Sequence, residues 1–343
     1  AGAGALFLAD AFGTSMDAYN YSAWQWAYRI MAMSMAVGIL TTLLIPEPES
    51  PAQAHAHLSR RDSLSWLFLF LCVVLAFIGG YLLTQGLAEY TAALADLLHN
   101  QAMASVLIAS TRLAMALLGA YLAARLLVSL HWIDAQLVST SYIEPLRDFF
   151  ARYGLGLALI LLALISVYRM SDIVLGVISN VFYQDMGYSK TEIAKIVKTY
   201  GLLMTIAGGF LGGILSVRFG VMRILMLGAI LGAATNLVFM RLAGSDATQG
   251  ALIGVISADT LSAGLASAAF IAFLSSLTNV QFTATQYAIF SSLMTLFPKV
   301  LGGYSGSMVD SIGYSNFFLT TALLGLPAIL LILLAKGRLE LAP

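Results

Sequence analysis

The sequence predicts an all-α protein that crosses a membrane many times. Three observations carry this prediction. Hydrophobic residues make up 60% of the 343 and charged residues only 10%, with a mean hydropathy of +0.89. A soluble domain carries roughly 25% charged residues, so this chain has too little charge to cover a water-facing surface. The apolar residues gather in runs of about 20, the length a helix needs to cross the hydrocarbon with its backbone amides satisfied internally. Finally, Lys and Arg collect in alternate short loops, the asymmetry that orients membrane helices. The 17 basic and 17 acidic residues cancel. No phosphate-cradling glycine loop and no basic-aromatic stripe occurs, so nucleic acid is not an expected partner.

The chain opens Ala1-Gly2-Ala3-Gly4, with neither Met nor a charged signal-peptide region. Residues 1–11 read as the last half of an apolar span, so the chain is expected to begin inside a larger protein. The first complete span is expected from Trp24 to Ile45, stopped by Pro46-Glu47-Pro48-Glu49-Ser50-Pro51, where proline denies helical hydrogen bonds. The next runs from Leu64 to Leu87, followed by a polar interval with Glu89, Asp96 and His99, and then Met103 to Leu130. Residues His131 to Asp148 form a mixed connector that suits a short interfacial helix. Further spans are expected at Gly154–Tyr183, Glu192–Val217, Val221–Leu242, Gly250–Leu277, Ala284–Met308 and Asn316–Ala335. Arg60 with Arg61, Arg147 with Arg152, Arg218 with Arg223 and Lys336 with Arg338 fall on one side of this path, assigned to the cytoplasm. Glu89, Asp96, Asp185, Asp246 and Asp310 fall on the other, while Lys190, Lys195, Lys198 and Arg241 run against the pattern.

The spans differ in kind. Asn316–Ala335 is nearly uniform and suits lipid. Gly250–Leu277 carries Ser257, Asp259, Thr260, Ser262, Gly264 and Ser267. Small residues permit close helix contact, and a carboxylate at this depth must face protein or water. The lone Cys72 can form neither an internal disulfide nor a thiolate cluster. His55, His57, His99 and His131 fall in loops, and no metal site or cofactor is expected.

Two stretches carry a family resemblance. The loop from Gly213 through Ser216-Val217-Arg218-Phe219-Gly220 to Arg223 resembles the loop signature of the major facilitator superfamily, with Val217 where that signature usually has Asp. Ala268-Ala269-Phe270-Ile271-Ala272-Phe273, running into Thr283-Ala284-Thr285-Gln286-Tyr287-Ala288, resembles the AmpG muropeptide permeases of that superfamily. So do Trp26-Ala27-Tyr28-Arg29, the exit Leu44-Ile45-Pro46-Glu47-Pro48, and Tyr168-Arg169-Met170-Ser171-Asp172. The resemblance covers residues 1–48 and about 152–338. It divides the chain into 1–48 (late helix five and helix six), 49–151 (an inter-half region with two extra transmembrane helices and a connector) and 152–343 (the C-terminal six-helix half). It implies alternating access between two halves. It also implies import of N-acetylglucosaminyl-anhydromuramyl peptides from periplasm to cytoplasm, coupled to proton entry across the bacterial inner membrane by a monomer without cofactors. The residues alone leave other readings open: transport of another organic anion such as an acyl-CoA or nucleotide-like compound, or a transporter-derived receptor or scaffold. An integral membrane enzyme is the reading least supported, for no HExxH, GxSxG or paired carboxylates in one loop occur.

Individual residues carry two readings each. Asp259 suits a proton carrier or a hydrogen-bonded structural carboxylate. Arg169 and Asp172 stand at i, i+3 and share a helix face, as an ion pair or as a substrate-facing pair. Lys299, deep in its span behind Pro298, suits substrate binding, gating, an acidic partner such as Asp259, or a snorkelling cation. Thr283 and Thr285 suit helix initiation, while Gln286 and Tyr287 could bind sugar hydroxyls or close a cytoplasmic gate. Gly213, Arg218, Gly220 and Arg223 suit a gating loop or simple orientation residues. Arg112 and Arg125 suit contact with lipid phosphate or snorkelling.

Overall fold

The computed structural model describes residues 8–9, 11–13, 20–45, 60–98, 101–130, 132 and 138–339. All four histidines, the Pro46–Pro51 stop and most of the opening stub lie outside them. The apolar runs become helices because only a helix satisfies backbone amides without water. Helix α1 (Tyr21–Leu44) starts three residues before the expected Trp24 because Asn20 caps it, its side-chain oxygen accepting from the amides of Ser22 at 3.1 Å and Ala23 at 3.4 Å. Helix α2 (Arg60–Leu83) ends before the expected Leu87. Thr84 donates back to the carbonyls of Gly80 and Tyr81, and Gln85–Tyr90 winds more tightly as a 3-10 helix. The short α3 (Thr91–Leu98) leads to α4 (Gln101–Ser129). Helices α2 and α4 form a hairpin at a small-residue crossing, where a Cβ on Gly80 would lie 3.2 Å from the Cα of Ala116.

Most of the first half of the expected connector lies outside the described residues. Its end winds as a π-helical turn (Ser139–Ile143) straight into α5 (Glu144–Val167), and α6 (Met170–Asp185) continues the same path. Two breaks divide it. Gly154 turns the chain with φ +67°, and Tyr168–Arg169 interrupts the helix deep in the span. Helix α7 (Ile193–Phe219) meets α8 (Val221–Ala243) at Gly220, where φ is +90°. Helix α9 (Gln249–Leu277) is capped by Thr248. Helices α10 (Thr283–Gly302), α11 (Ser305–Leu323) and α12 (Leu326–Leu339) follow, with Gly313 at φ +75° turning the chain inside α11. The last two expected spans therefore meet at Gly313, inside the expected gap between Met308 and Asn316.

Among the described residues, eight segments are long and apolar enough to cross a membrane. The expected span Ala284–Met308 forms α10, but its Thr, Gln, Ser and Lys residues keep it out of that set.

Two apolar clusters hold α5 to α12 together. One joins Phe149, Leu161, Tyr168, Phe270, Phe273 and Phe290; the other joins Val174, Phe182, Tyr183, Phe239, Phe317 and Phe318. Helices α7 and α9 approach through glycine. A Cβ on Gly208 would lie 2.1 Å from the Leu261 carbonyl oxygen, one on Gly212 2.6 Å from that of Leu265, and one on Gly264 2.2 Å from that of Thr205. No side chain larger than hydrogen fits there. The α2–α4 hairpin has its own small cluster, with Leu69 and Leu127 buried.

Candidate functional site

The polar centre is built at the Tyr168–Arg169 break. Tyr168 ends α5 with its ring stacked on Phe270, centroids 4.5 Å apart, and its hydroxyl donates to the Leu225 carbonyl at 3.1 Å. Arg169 precedes α6 and donates to Ser267 of α9 at 3.1 Å, and it lies 3.9 Å from Asp172. The expected i, i+3 pair therefore exists, but across a helix break rather than along a regular helix. Asp172 sits in the first turn of α6, where amides left free by the break favour a carboxylate. Ser171 beside it donates to the Thr321 carbonyl at 2.8 Å and accepts from the Asn236 amide at 2.7 Å.

Asp259 of α9 accepts from Thr235 of α8 at 3.4 Å. Asp172 reaches the same stretch of α8, since a Cβ on Gly232 would lie 3.2 Å from its carboxylate oxygen. Two carboxylates from α6 and α9 thus flank one turn of α8. A cavity of about 10 Å³ lies here, lined by Tyr168, Asp172, Gly228, Gly232 and Gly325 among others, room for about one water. The arrangement can hold and relay a proton, or hold an ordered water between polar groups.

Lys299 does not join this centre. It is exposed on α10 and makes no ion pair among the described residues, and Asp259 takes Thr235 instead. The reason is register: on α10 it is the neighbours Pro298 and Gly302 that are buried, Gly302 against Val177. Tyr287 packs against the first apolar cluster.

Gln286 is 2% exposed and fully engaged. Its oxygen accepts from the Asn279 amide at 2.7 Å and from Arg152 at 3.2 Å. Its nitrogen donates to the Pro145 carbonyl at 2.8 Å and to Asp148 at 2.9 Å. Asp148 also pairs with Arg152 at 2.9 Å and accepts from Asn279 at 2.9 Å. In this conformation Gln286 has no free group for a sugar. It ties the start of α5 to the α9–α10 turn. Thr283 does not cap α10 either; it donates backwards to the carbonyls of Asn279 and Val280, and Phe282 at the cap position makes no side-chain bond.

In the α7–α8 loop, Gly220 supplies the left-handed turn, whereas Gly213 faces open space. Val217 is 90% exposed. Arg218 and Arg223 are exposed and make no ion pair among the described residues, so no charge relay forms there.

At the opposite end, Ser189 and Glu192 form a reciprocal helix cap. The Glu192 carboxylate accepts from the Ser189 amide and hydroxyl, each at 2.8 Å, and the Glu192 amide donates to the Ser189 hydroxyl at 3.2 Å. Gln249 of α9 donates to Glu192 at 2.7 Å, and Tyr188 donates to the Thr248 carbonyl at 3.1 Å. The bond from Gln249, then those from Ser189, hold the Glu192 carboxyl below its ordinary range. The Tyr314 hydroxyl donates to Asp185 at the same end.

Fold and site together define a multi-pass α-helical membrane protein with a charged centre inside its C-terminal helices. The comparisons with known proteins then narrow the class. No protein-family model matches the chain. It is 34% identical over 194 residues to a Rickettsia conorii protein named as transporter AmpG 4, covering 57% of this chain and 46% of that protein. It is 32% identical over 199 residues to the anhydromuropeptide permease of Escherichia coli K12, covering 58% of this chain and 40% of the permease. An uncharacterised Haemophilus influenzae protein is 35% identical over 193 residues. The matched stretch thus spans less than half of each named relative. Over more than half of its length the chain is similar to proteins named AmpG transporter or anhydromuropeptide permease, and its apolar segments make it a multi-pass membrane protein.

The sequence reading misses Asn236 and takes Ser171, Asp148 and Arg152 only as part of a motif, a connector boundary and a positive-side loop. Asn236 carried a signal, a strongly polar side chain in the middle of an apolar run. Asp148 and Arg152 stand at i, i+4 where the connector meets the span, another visible pattern.

Proposed function

We propose that this chain is part of a secondary transporter that imports cell-wall muropeptides into the cytoplasm, driven by proton entry. The observation that carries the reading is the 32% identity to the Escherichia coli anhydromuropeptide permease over 199 residues. The charged centre supports it. Arg169, Asp172 and Asp259 are the costly groups of the bundle, and ionisable residues at such depth are characteristic of ion and proton pathways. In this reading Asp259 carries the proton, with Thr235 as its hydrogen-bond partner. Arg169 alternates between Asp172 and an anionic group of the substrate. The break at Tyr168–Arg169 lets the two parts of the span tilt independently. The Gln286–Asp148–Arg152 cluster acts as a cytoplasmic clamp on the C-terminal half, and the Gly220 turn with Arg218 and Arg223 orients the loop.

The test is uptake of labelled anhydromuropeptide into proteoliposomes holding the full-length protein, with an imposed pH gradient. Accumulation should follow the gradient, and Asp259→Asn should abolish the dependence on it while substrate binding persists. Unchanged pH-driven uptake by the variant would remove Asp259 from the mechanism. Binding without accumulation by the wild type would favour a receptor.

A further inference from the structure

We propose that Arg112, in the hairpin between the two halves, binds the phosphodiester of an anionic membrane lipid. Arg112 lies eleven residues into α4 (Gln101–Ser129), about 16.5 Å along the helix from its start. The surface around it is apolar and exposed: Leu107 and Met115 on α4, Ile78 and Leu82 on α2. A surface of this kind meets acyl chains, and a bare cation there is costly.

The side chain is not free to escape by extending. Its guanidinium carbon sits 4.3 Å from the centre of the Tyr81 ring, and one terminal nitrogen donates to the Tyr81 carbonyl at 3.3 Å. The close crossing of Gly80 with Ala116 sets that position. A guanidinium carries five N–H donors, and only this one bond is made among the described residues. Its Nε is buried and unpartnered, and neither of the ion pairs among the described residues involves Arg112. A positive group held below the head-group level, with its donors unused, fits an oxygen-rich anion that reaches down from the membrane surface. Planar, bidentate phosphate recognition is what a guanidinium does best. The opening onto the lipid-facing surface makes the source a lipid rather than free phosphate.

Arg125 provides the contrast within the same helix. It lies 5.9 Å from the Tyr121 ring, makes no hydrogen bond among the described residues, and stands four residues from the end of the span. It can reach water by snorkelling.

The experiment uses the full-length protein purified in detergent and mixed with phosphatidylglycerol or phosphatidylcholine, with bound lipids counted by native mass spectrometry. Wild type and Arg125→Gln should retain a phosphatidylglycerol that phosphatidylcholine does not replace. Arg112→Gln should weaken its retention by about tenfold or more, as expected when a charge-assisted partner is lost. Arg112→Lys, which keeps the charge, should hold it at an intermediate level and also guards against a glutamine variant that fails to fold. Equal retention by Arg112→Gln and wild type, or equal retention of phosphatidylcholine, would overturn the proposal. Displacement of the lipid by millimolar inorganic phosphate would overturn the lipid assignment and make this a water-accessible anion site.

Discussion

At the scale of the residue, Gln286 shows how a side chain can belong to a recognisable motif and still do structural work. All its hydrogen-bonding capacity is spent on Pro145, Asp148, Arg152 and Asn279. Gln286→Leu keeps roughly the volume and leaves Asp148, Arg152 and two backbone groups short of a partner. Each buried group so abandoned costs about 1–3 kcal/mol. The expected result is a loss of about 2–4 kcal/mol, allowing for water that reaches the half-exposed Asp148–Arg152 pair. Thermal unfolding in detergent reads this directly. A variant as stable as wild type would return Gln286 to the list of substrate groups. The same scale marks the limit of reading a site from sequence. Asp172, Arg169 and Asp259 were legible as charges too deep to be idle. Their partners were not, because contact between α6, α8 and α9 depends on helix rotation that spacing alone does not fix. Lys299 shows the same limit: it lies deep by count, yet it projects from the exposed side of α10, where it pairs with neither Asp259 nor another acidic group among the described residues.

At the scale of the element, glycine position decides which helices touch. Gly208 and Gly264 face backbone carbonyls at distances no Cβ can occupy, while Gly209 and Gly213 on the same helix face nothing within 4 Å. Gly208→Ala or Gly264→Ala must push α7 and α9 apart, at a cost of about 1–3 kcal/mol or more. Gly209→Ala and Gly213→Ala should be neutral or stabilising by up to about 1 kcal/mol, since alanine is the better helix former. Unfolding midpoints of the four variants check the contrast. The cap at the start of α7 adds a pH dependence. Because the folded-state carboxyl of Glu192 is held below its ordinary value, its contribution is complete above about pH 4.3, the unfolded value. It disappears as pH falls through the lowered folded value. The stability difference between wild type and Glu192→Gln should therefore be constant near neutrality and shrink below about pH 4. A difference unchanged down to pH 3 would show that the carboxylate charge is not what the cap uses. Apolar runs placed nearly every span in the sequence, because hydrophobic length is a composition signal. The ends and breaks were less visible. The Tyr168–Arg169 interruption contains neither proline nor glycine, and the Asn20 cap adds a turn that hydropathy does not register.

At the scale of the whole molecule, the question is whether the α2–α4 hairpin is part of the transport body or an independent attachment. Its buried residues, Leu69 and Leu127, form a separate cluster, and neither of the two clusters that unite α5 to α12 contains a residue from 60–130. Its strongest packing is internal, through Gly80 and Ala116, and through Gly119 against the Ala76 carbonyl. The hairpin also adds two spans, α2 and α4, an even number. Removing it leaves every later helix in its original orientation, so the positive-side loops stay on their side. Replacing residues 60–130 in the full-length protein by a flexible polar linker should therefore leave the unfolding midpoint of the remaining bundle within experimental error. Gradient-driven uptake should persist for the same reason, since Arg169, Asp172 and Asp259 all belong to α5–α12 and its breaks. Retention of phosphatidylglycerol should fall with the loss of Arg112. Collapse of stability on excision would show that the hairpin braces the body through contacts that side-chain packing within α5–α12 does not replace. Persistence of uptake with loss of lipid retention would separate the two activities onto two structural units of one chain.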